Sequence, residues 1–493
     1  MPLSSLGMIS NSWTGCLRAV VAASFGLLML NSSHGQEWAQ LFDGRSLEGW
    51  KAAEKPESFR VEDGAIVCQG ARAHLFYEGD GKPFRNFEFE CEAMTFSGAN
   101  SGVYVHTVFQ SKGFPATGYE IQVLNEPAEH NGYRENKLTG SLYGVRNIYK
   151  SLVPDGQWFK LAIRVEGKRV RTWLNGTLLV DWVEPADMKA VTRKALDEGT
   201  FALQAHDPTS KVSYRNLRVK RLPDAGAEML PAGPAFTDYE KELQRLGAAN
   251  FPVLNYHVHL KGGLTVEEAL ASSRSTGIFY GVAVNCGLNF SVTNDVGIKD
   301  YLRQMQGQPA FVAMQAEGRE WVNMFSREAT RQFDYVFTDA MTIVDDTGRR
   351  MRLWITNEVP PITDPEAFMS MLVDRTVKIL SQEPINVYVN PTFLPAQIAS
   401  DYDRLWTAER MKRVVDAAAA RGIAIEINNR LKLPNLAFLK LAKAAGCKFT
   451  MGTNNGDREI GTLDFSLQMI KELGLGWKDF WVPAPRWMAK RNP

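Results

Sequence analysis

The chain has few cysteines, almost no net charge and no long apolar run. Five cysteines in 493 residues do not make a disulfide framework. Cys68 and Cys91 could pair within the first half or remain unpaired buried thiols, and the sequence leaves both open. The 56 basic and 55 acidic side chains give a net charge of +1, so we expect no nucleic acid as a partner. Hydrophobic residues still make up 45% of the chain, which is typical of a globular protein.

The longest apolar run lies near the start of the chain. It covers the twelve residues 19–30, follows Arg18 and is itself followed by small residues. This run is too short to span a membrane, but a basic residue, a short apolar run and small residues are typical of a secretory signal. We therefore predict a signal peptide over 1–35, with Met1 or Met8 as the start. We expect export to the periplasm or the extracellular space, and no membrane span in the mature protein.

Short strands separated by turns fill the first half of the chain. Segments such as "FEFECEAMTF" and "YEIQVLN" alternate or run apolar, and Asp-Gly, Glu-Gly and Asn-Gly pairs stand between such segments. Asn175 and Gly176, between "VRTWL" and "TLLVDW", predict a two-residue hairpin. No amphipathic helix interrupts this region. The pattern predicts an all-β jelly-roll sandwich over residues 37–222.

The pattern changes in the second half. Residues 223–236 are rich in Pro, Gly and Ala, which predicts a linker over 223–250. From residue 251 onward, strand-like and helix-like segments alternate seven times. Repeated βα units predict a parallel sheet with helices outside, here an α/β, TIM-like (βα)7 barrel over 251–493, one unit short of the usual eight. The long segment 345–365 is expected to form a flap over the strand ends.

Polar side chains occupy the ends of the predicted barrel strands. His257 and His259 point to the same side of the first strand, because side chains alternate along a strand. Acids and amides end the later strands: Asn285, Glu317, Asp339, Asn390, Glu426, Asn428, Asn454, Asn455 and Asp457. Such strand ends meet at one mouth of a barrel. This mouth suits a divalent cation such as Zn²⁺ or Mn²⁺, and the alternative is a hydrogen-bonded mouth that binds a ligand without metal.

The segments "YHVHL", "QAEGREW", "IEINN" and "MGTNN" resemble the PHP superfamily of polymerase and histidinol-phosphatase metal-dependent phosphoesterases. The resemblance implies a seven-unit barrel with two or three metals, in which His257 and His259 are ligands and Glu317 bridges. The chain departs from that pattern because its seven histidines stand at positions 34, 74, 106, 130, 206, 257 and 259. Asp339 stands where the family has another histidine. We therefore expect no trinuclear centre, and at most one metal held by His257, His259, Glu317 and Asp339.

The first half carries a second resemblance. The segments "LFDGRSLEGWK", "VEDGAIV", "ANSGVYV", "GYEIQVLN", "TGSLYG" and "WLNG" occur in this order from residue 41 onward. Together they resemble the 3-keto-disaccharide hydrolase family, also called 3-keto-glucoside lyase and hydratase. The resemblance implies a concanavalin-like or laminarinase-like fold and a carbohydrate-active domain that is often exported.

Candidate site residues of this half follow from strand faces and residue types. In "SGVYVH", Gly102, Tyr104 and His106 are predicted to share one face of a strand, and in "GYEIQVLN" Glu120 and Gln122 share one face. We predict Glu120 as a catalytic base, with His106 or His206 as the acid, and a structural role for Glu120 is the alternative. Residues predicted to bind the sugar are Asn100, Tyr104, Gln122, Tyr143, Trp158 and Asp207.

Three functions fit the sequence. The first is an exported hydrolase or lyase that acts on 3-keto-disaccharides or related glycosides through the sandwich, while the barrel holds a metal or none. In the second, the sandwich binds carbohydrate and the barrel is a metal-dependent hydrolase. The third is a non-catalytic sugar-binding protein. All three predict a carbohydrate partner, and the sequence makes no prediction of the oligomeric state.

Overall fold

The computed structural model describes residues 37–127, 129–130, 132–188, 195–223 and 231–485. The predicted signal peptide lies outside these residues. From Trp38 onward the chain folds into one compact unit. No helix in the described ranges has the length and apolar character needed to cross a bilayer.

The first half of this unit consists of short strands. In chain order they are β1 (Ala39–Gln40), β2 (Trp50–Ala53), β3 (Phe59–Glu62), β4 (Ala65–Gln69), β5 (Ala73–Tyr77), β6 (Phe87–Thr95), β7 (Ser101–Thr107), β8 (Tyr119–Val123), β9 (Glu129–His130), β10 (Tyr133–Arg134), β11 (Phe159–Glu166), β12 (Arg169–Leu174), β13 (Thr177–Val183), β14 (Thr200–Ala205) and β15 (Lys211–Arg221). One antiparallel sheet has the order β13-β12-β11-β6-β15-β4-β3, with β1 also paired to β15. The other, here called the small sheet, has the order β2-β5-β14-β7-β8. The predicted β-sandwich is therefore confirmed.

Alternating side chains explain why these strands form a sandwich. Along β6, Phe87, Phe89 and Cys91 are buried, whereas the side chains between them are partly exposed. Glu92, the next partly exposed side chain after Cys91, receives a hydrogen bond from Arg215 of the neighbouring strand at 2.7 Å. The predicted hairpin joins β12 to β13, with positive φ of 48° at Asn175 and 84° at the glycine after it. The described cysteines 68, 91, 286 and 447 are free and buried, so Cys68 and Cys91 do not pair.

The second half contains seven parallel strands in sequence order, as predicted. They are β16 (Leu254–His259), β17 (Phe279–Gly287), β18 (Phe311–Glu317), β19 (Tyr335–Thr338), β22 (Val387–Tyr388), β23 (Ala424–Asn428) and β24 (Phe449–Gly452). The sheet is nearly closed, because Asn454 N, just after the last strand, donates to His257 O on the first at 2.8 Å. A short hairpin pairs β20 (Thr342–Val344), just before the segment 345–365 predicted as a flap, with β21 (Arg350–Arg352) inside it.

Helices surround this sheet and connect its strands. They are α1 (Asp238–Ala248), α2 (Val266–Thr276), α3 (Asp295–Gln304), α4 (Trp321–Met324), α5 (Arg327–Thr330), α6 (Pro365–Gln382), α7 (Tyr402–Leu405), α8 (Ala408–Ala420), α9 (Leu436–Ala444) and α10 (Asp464–Leu473). Helix α2 shows how the sequence sets their bounds. Thr265 and Glu268 form a capping box at its start, and Gly277 ends it in the left-handed conformation.

The stretch predicted as a linker is partly helical. Helix α1 begins at a capping box formed by Thr237 and Glu240. Its apolar residues Leu243 and Leu246 are buried in the barrel core. The capping box favours a helix, and the apolar stripe packs this helix against the barrel core. For these two reasons the segment is ordered, although its composition predicted a flexible linker.

A sandwich segment, residues 133–151, closes the end of the barrel where the strands begin. Tyr149 donates its hydroxyl hydrogen to Phe251 O at 2.9 Å and packs its ring 6.0 Å from that of Phe279. Lys150 donates to Ala310 O at 2.8 Å. One cluster of buried side chains joins the sandwich interior to the first residues of the barrel strands. The two halves therefore share a hydrophobic core.

Candidate functional site

The small sheet carries a row of polar side chains on the face turned away from the sandwich core, here called its outer face. On β7 and β8, Val103 and Ile121 pack into the core. Tyr104 and Glu120 are opposite each other across the two strands, and Gly102 is opposite Gln122. Because neighbouring residues point to opposite sides of a strand, Tyr104, Glu120 and Gln122 lie together on the outer face. Glu120 is 7% exposed and Gln122 is 1% exposed.

Hydrogen bonds tie these residues into one cluster, which we call the Glu120 cluster: Asn100, Tyr104, Glu120, Gln122 and Gln204. Gln204 Nε2 donates to the Tyr104 hydroxyl at 2.9 Å and to Glu120 Oε1 at 3.3 Å. Gln122 Nε2 donates to Asn100 Oδ1 at 2.9 Å. Two acceptors, Oε1 of Gln122 and of Gln204, are buried and have no hydrogen-bond partner among the described residues. Such acceptors are suited to receive hydroxyl groups of a ligand.

Glycine makes room for the carboxylate in this cluster. A β-carbon at Gly102 would overlap with Oε1 of Glu120. Any larger residue at position 102 would displace the Glu120 carboxylate, which reaches across β7. Sequence analysis placed Gly102 on the correct face but did not identify this role.

A buried ion pair forms the neighbouring wall of the Glu120 cluster. Lys137 Nζ lies 2.7 Å from Glu135 Oε1 and 4.6 Å from the centre of the Tyr143 ring. The Tyr143 hydroxyl donates to Glu135 Oε2 at 2.8 Å. Burial, and then the charge of Glu135, raise the pKa of Tyr143 well above its ordinary value. Tyr143 is therefore a neutral hydrogen-bond donor at physiological pH.

The rim of the cluster contains exposed groups suited to a sugar ring. His206 follows Gln204 by two residues, and its Nδ1 lies 2.8 Å from Asp207 Oδ2. Phe114 is 47% exposed, and its ring centre lies 6.3 Å from that of His206 and 5.7 Å from that of His74. Exposed aromatic rings beside polar groups are typical of sugar sites. Sequence analysis missed Phe114, although an aromatic residue in the polar loop "FQSKGFPATG" is a usable signal.

Two predicted site residues lie elsewhere. His106 does not share a face with Tyr104, because the strand is irregular there and His106 has a positive φ of 55°. Its Nε2 lies 2.9 Å from Arg85 O, and its Nδ1 accepts from Asp197 N at 3.1 Å. Trp158 lies on the other sheet, where Arg215 stacks 4.0 Å from its ring centre.

The buried imidazole of His106 predicts a loss of stability in acid. Burial lowers the pKa of His106 to about 4, whereas the unfolded chain has the ordinary value of 6.5. Between pH 4 and pH 6.5 the unfolded state binds more protons than the folded state does. The stabilisation of the fold by the neutral His106 imidazole is therefore complete above pH 6.5 and is lost as the pH falls to 4. We expect it to amount to about 3 kcal/mol. Urea unfolding at several pH values should show this loss in the wild type and a smaller one in His106→Gln. Equal pH profiles would contradict the assignment.

The barrel mouth is a second polar region. A cavity of about 1570 Å³ opens where the strands end, and its lining includes His259, Glu317 and Asp339. His257 lies deeper, with Nδ1 2.7 Å from Glu426 Oε1 and Nε2 3.1 Å from Gln315 Oε1. Burial, and then the charge of Asp339, raise the pKa of Glu317 to about 8.

The predicted metal ligands are largely occupied by protein partners. Both nitrogens of His257 have partners, and Asp339 accepts from Met341 N at 3.0 Å and from Asn390 Nδ2 at 3.2 Å. In the described part of the chain, no group of three or more His, Cys, Asp or Glu side chains is arranged to hold a metal. The geometry therefore gives no support to a four-ligand site. The metal stays a prediction, and no chemical step below depends on it.

Comparison with known proteins shows what the first half is similar to. Residues 37–220 match the model of a 3-keto-alpha-glucoside-1,2-lyase-like domain, which confirms the predicted resemblance of this half. A candidate glycosyl hydrolase from Parabacteroides distasonis is 26% identical, with a TM-score of 0.33 over 38% of this chain and 94% of its own. A carbohydrate-binding module from Bacillus subtilis is 14% identical, with a TM-score of 0.25 over 35% of this chain and 95% of its own. No curated protein matches. The resemblance of the barrel to PHP proteins stays a prediction.

Proposed function

We propose that the sandwich half cleaves glycosides whose sugar ring carries a ketone at C3. The observation that carries this proposal is the Glu120 cluster: a carboxylate on the outer face, held by Gln204 and given space by Gly102. The family match over residues 37–220 supports the same substrate class. Asn100, Gln122 and Tyr143 line or adjoin the carboxylate and would orient the sugar hydroxyls.

The chemistry is an elimination followed by a hydration. A ketone at C3 acidifies the hydrogen on C2, and Glu120 takes that proton. The C1–O bond then breaks and a C1–C2 double bond forms, while His206 protonates the departing oxygen. Water next adds its hydroxyl group to C1 and gives its remaining proton back to His206, while Glu120 delivers to C2 a proton that has exchanged with solvent. The net result is hydrolysis without a redox partner.

His206 is better placed than His106 for the acid role. It lies at the exposed rim, where its Nδ1 is 2.8 Å from Asp207 Oδ2, so the carboxylate orients the ring. Burial raises the pKa of Asp207, but hydrogen bonds from Thr209, Ser210 and His206 outweigh burial and hold this pKa well below its ordinary value. Asp207 therefore remains charged over the working pH range. His106, by contrast, has both ring nitrogens bound to backbone groups.

A substrate pair in D₂O tests the proposal. The full chain is expected to release 3-keto-glucose from methyl 3-keto-α-glucoside and to leave methyl α-glucoside intact, because only the ketone acidifies C2. Mass spectrometry should find one deuterium at C2 of the product formed in D₂O, after correction for exchange in an enzyme-free control. Equal cleavage of both substrates would indicate an ordinary glycosidase. Binding of both without cleavage would indicate a sugar-binding module.

A further inference from the structure

The barrel mouth contains two buried polar atoms with no partner among the described residues: His259 Nε2 and Glu317 Oε2. His259 Nδ1 lies 3.1 Å from Ala283 O, and because a carbonyl can only accept, the ring hydrogen is on Nδ1. Nε2 therefore presents a bare lone pair. The other oxygen of Glu317 accepts from Asn285 Nδ2 at 2.7 Å. Leaving such buried polar atoms without a hydrogen-bond partner is unfavourable. A ligand that supplies hydrogen-bond partners would recover the lost free energy.

Both side chains line the cavity of about 1570 Å³. Small-molecule sites usually enclose about 300–1,000 Å³, so this mouth has room for a ligand larger than one sugar ring. It also lies at the strand ends, where barrels of parallel strands bind their ligands. The position, the volume and the two unpartnered polar atoms all indicate a binding site that is separate from the Glu120 cluster.

The charges at the mouth favour hydroxyl groups over a metal cation. Lys261 and Arg430 line the same cavity. Burial, and then the charge of Arg430, lower the pKa of Lys261. The charges of Lys261 and Arg430 offset the carboxylates of Glu317 and Asp339 in the same lining, so the mouth has no excess of negative charge to attract a divalent cation. Zinc also needs three or four protein ligands, whereas His259 and Glu317 supply two unpartnered atoms. A hydroxyl group can donate to His259 Nε2 and can also accept from a protonated Glu317, without added positive charge.

An aromatic wall completes the site. Trp354, in the segment between β21 and α6, is 41% exposed and lines the cavity together with Phe393. The backbone beside it is fixed, because Leu353 N donates to Met341 O at 2.8 Å. Aromatic faces stack on sugar rings, whose C–H groups are apolar on one side.

We propose that the barrel mouth is a second ligand site, which binds a hydroxyl-rich ligand of saccharide size without a metal. His259 accepts a hydrogen bond from one of its hydroxyl groups, Glu317 hydrogen-bonds another, and Trp354 stacks on a ring. Lys261 and Arg430 extend the class to sugar acids. The proposal does not depend on the function proposed for the sandwich, since it concerns binding to the other half of the chain.

Titration calorimetry on the full chain tests this site, with maltose as the neutral probe, gluconate as the sugar acid and zinc chloride as the metal. Trp354→Ala is expected to weaken saccharide binding at the mouth about tenfold. His259→Gln should weaken it as well, and Trp354→Ala keeps the test valid if His259→Gln fails to fold. Trp38→Ala, at a tryptophan on which Arg218 of the sandwich stacks at 4.5 Å, is the matched control and should change nothing. Phe114→Ala should affect only binding to the sandwich.

The outcomes separate this proposal from the proposed function. Saccharide binding that Trp354→Ala weakens and Phe114→Ala leaves in place supports the mouth as a site, whether or not the sandwich cleaves 3-keto-glycosides. Binding lost only in Phe114→Ala overturns it, because the sugar then occupies the sandwich alone. Absence of binding by either saccharide also overturns it. So does tight zinc binding that His259→Gln abolishes.

Discussion

Glu120→Gln is expected to lower kcat on a 3-keto-glucoside about 10³-fold, with KM within a few-fold of the wild type. The amide keeps the shape of the side chain and its place beside Gln204, but it cannot take the proton from C2. The substrate contacts proposed for Gln122 and Tyr143 remain, which is why KM should change little. Steady-state kinetics, with circular dichroism to confirm folding, measure this effect.

Glu92→Gln is the matched control. Glu92 lies on β6 of the other sheet, where it pairs with Arg215 at 2.7 Å. Its substitution removes one carboxylate from the same domain without touching the small sheet, so kcat should stay within about twofold. If Glu120→Gln retains full activity while the control does too, Glu120 has a structural role and the base lies elsewhere. Loss of deuterium incorporation at C2 in Glu120→Gln would identify the affected step.

Lys137→Met is expected to lower the free energy of unfolding by about 3–5 kcal/mol. Lys137 is fully buried, at 0% exposure, and its Nζ lies 2.7 Å from Glu135 Oε1. It also donates to Asn250 Oδ1 at 3.1 Å, a residue that precedes the barrel. Removing the ammonium leaves a buried carboxylate without its cation. Chemical denaturation monitored by fluorescence measures the change.

Two further variants separate burial from charge. Lys137→Met combined with Glu135→Gln removes both charges and should restore part of the lost stability, because no uncompensated carboxylate then remains. Lys160→Met breaks a half-exposed pair with Glu90 and should cost less than about 1 kcal/mol. A cost for Lys137→Met as small as that for Lys160→Met would contradict the role given to this ion pair.

Sequence patterns predicted the architecture because local periodicity governs it. All seven strands of the parallel sheet occur where apolar runs end in polar residues, and the hairpin at Asn175 occurs where Asn-Gly requires positive φ. Alternation also placed Glu120 and Gln122 on one face correctly. These features depend on neighbours within a few residues, which the sequence shows directly.

Features that depend on distant contacts could not be predicted. The irregularity at His106 reflects pairing of β7 with β14, so a strict alternation put His106 on the wrong side. Gln204 joins Glu120 from a strand 84 residues away, and no local pattern indicates that contact. The Lys137–Glu135 pair is equally hidden, because a Lys two residues after a Glu is usually a solvated pair.

The sandwich segment of residues 133–151, which closes the end of the barrel where the strands begin, couples the stability of the sandwich to that of the barrel. Tyr149 and Lys150 belong to the sandwich by sequence, yet they bond to backbone carbonyls at the start of barrel strands. Cutting the chain between the halves would expose an apolar surface on each piece. Heat should therefore melt the protein in a single transition, and a ligand bound to either half should raise the melting temperature of both.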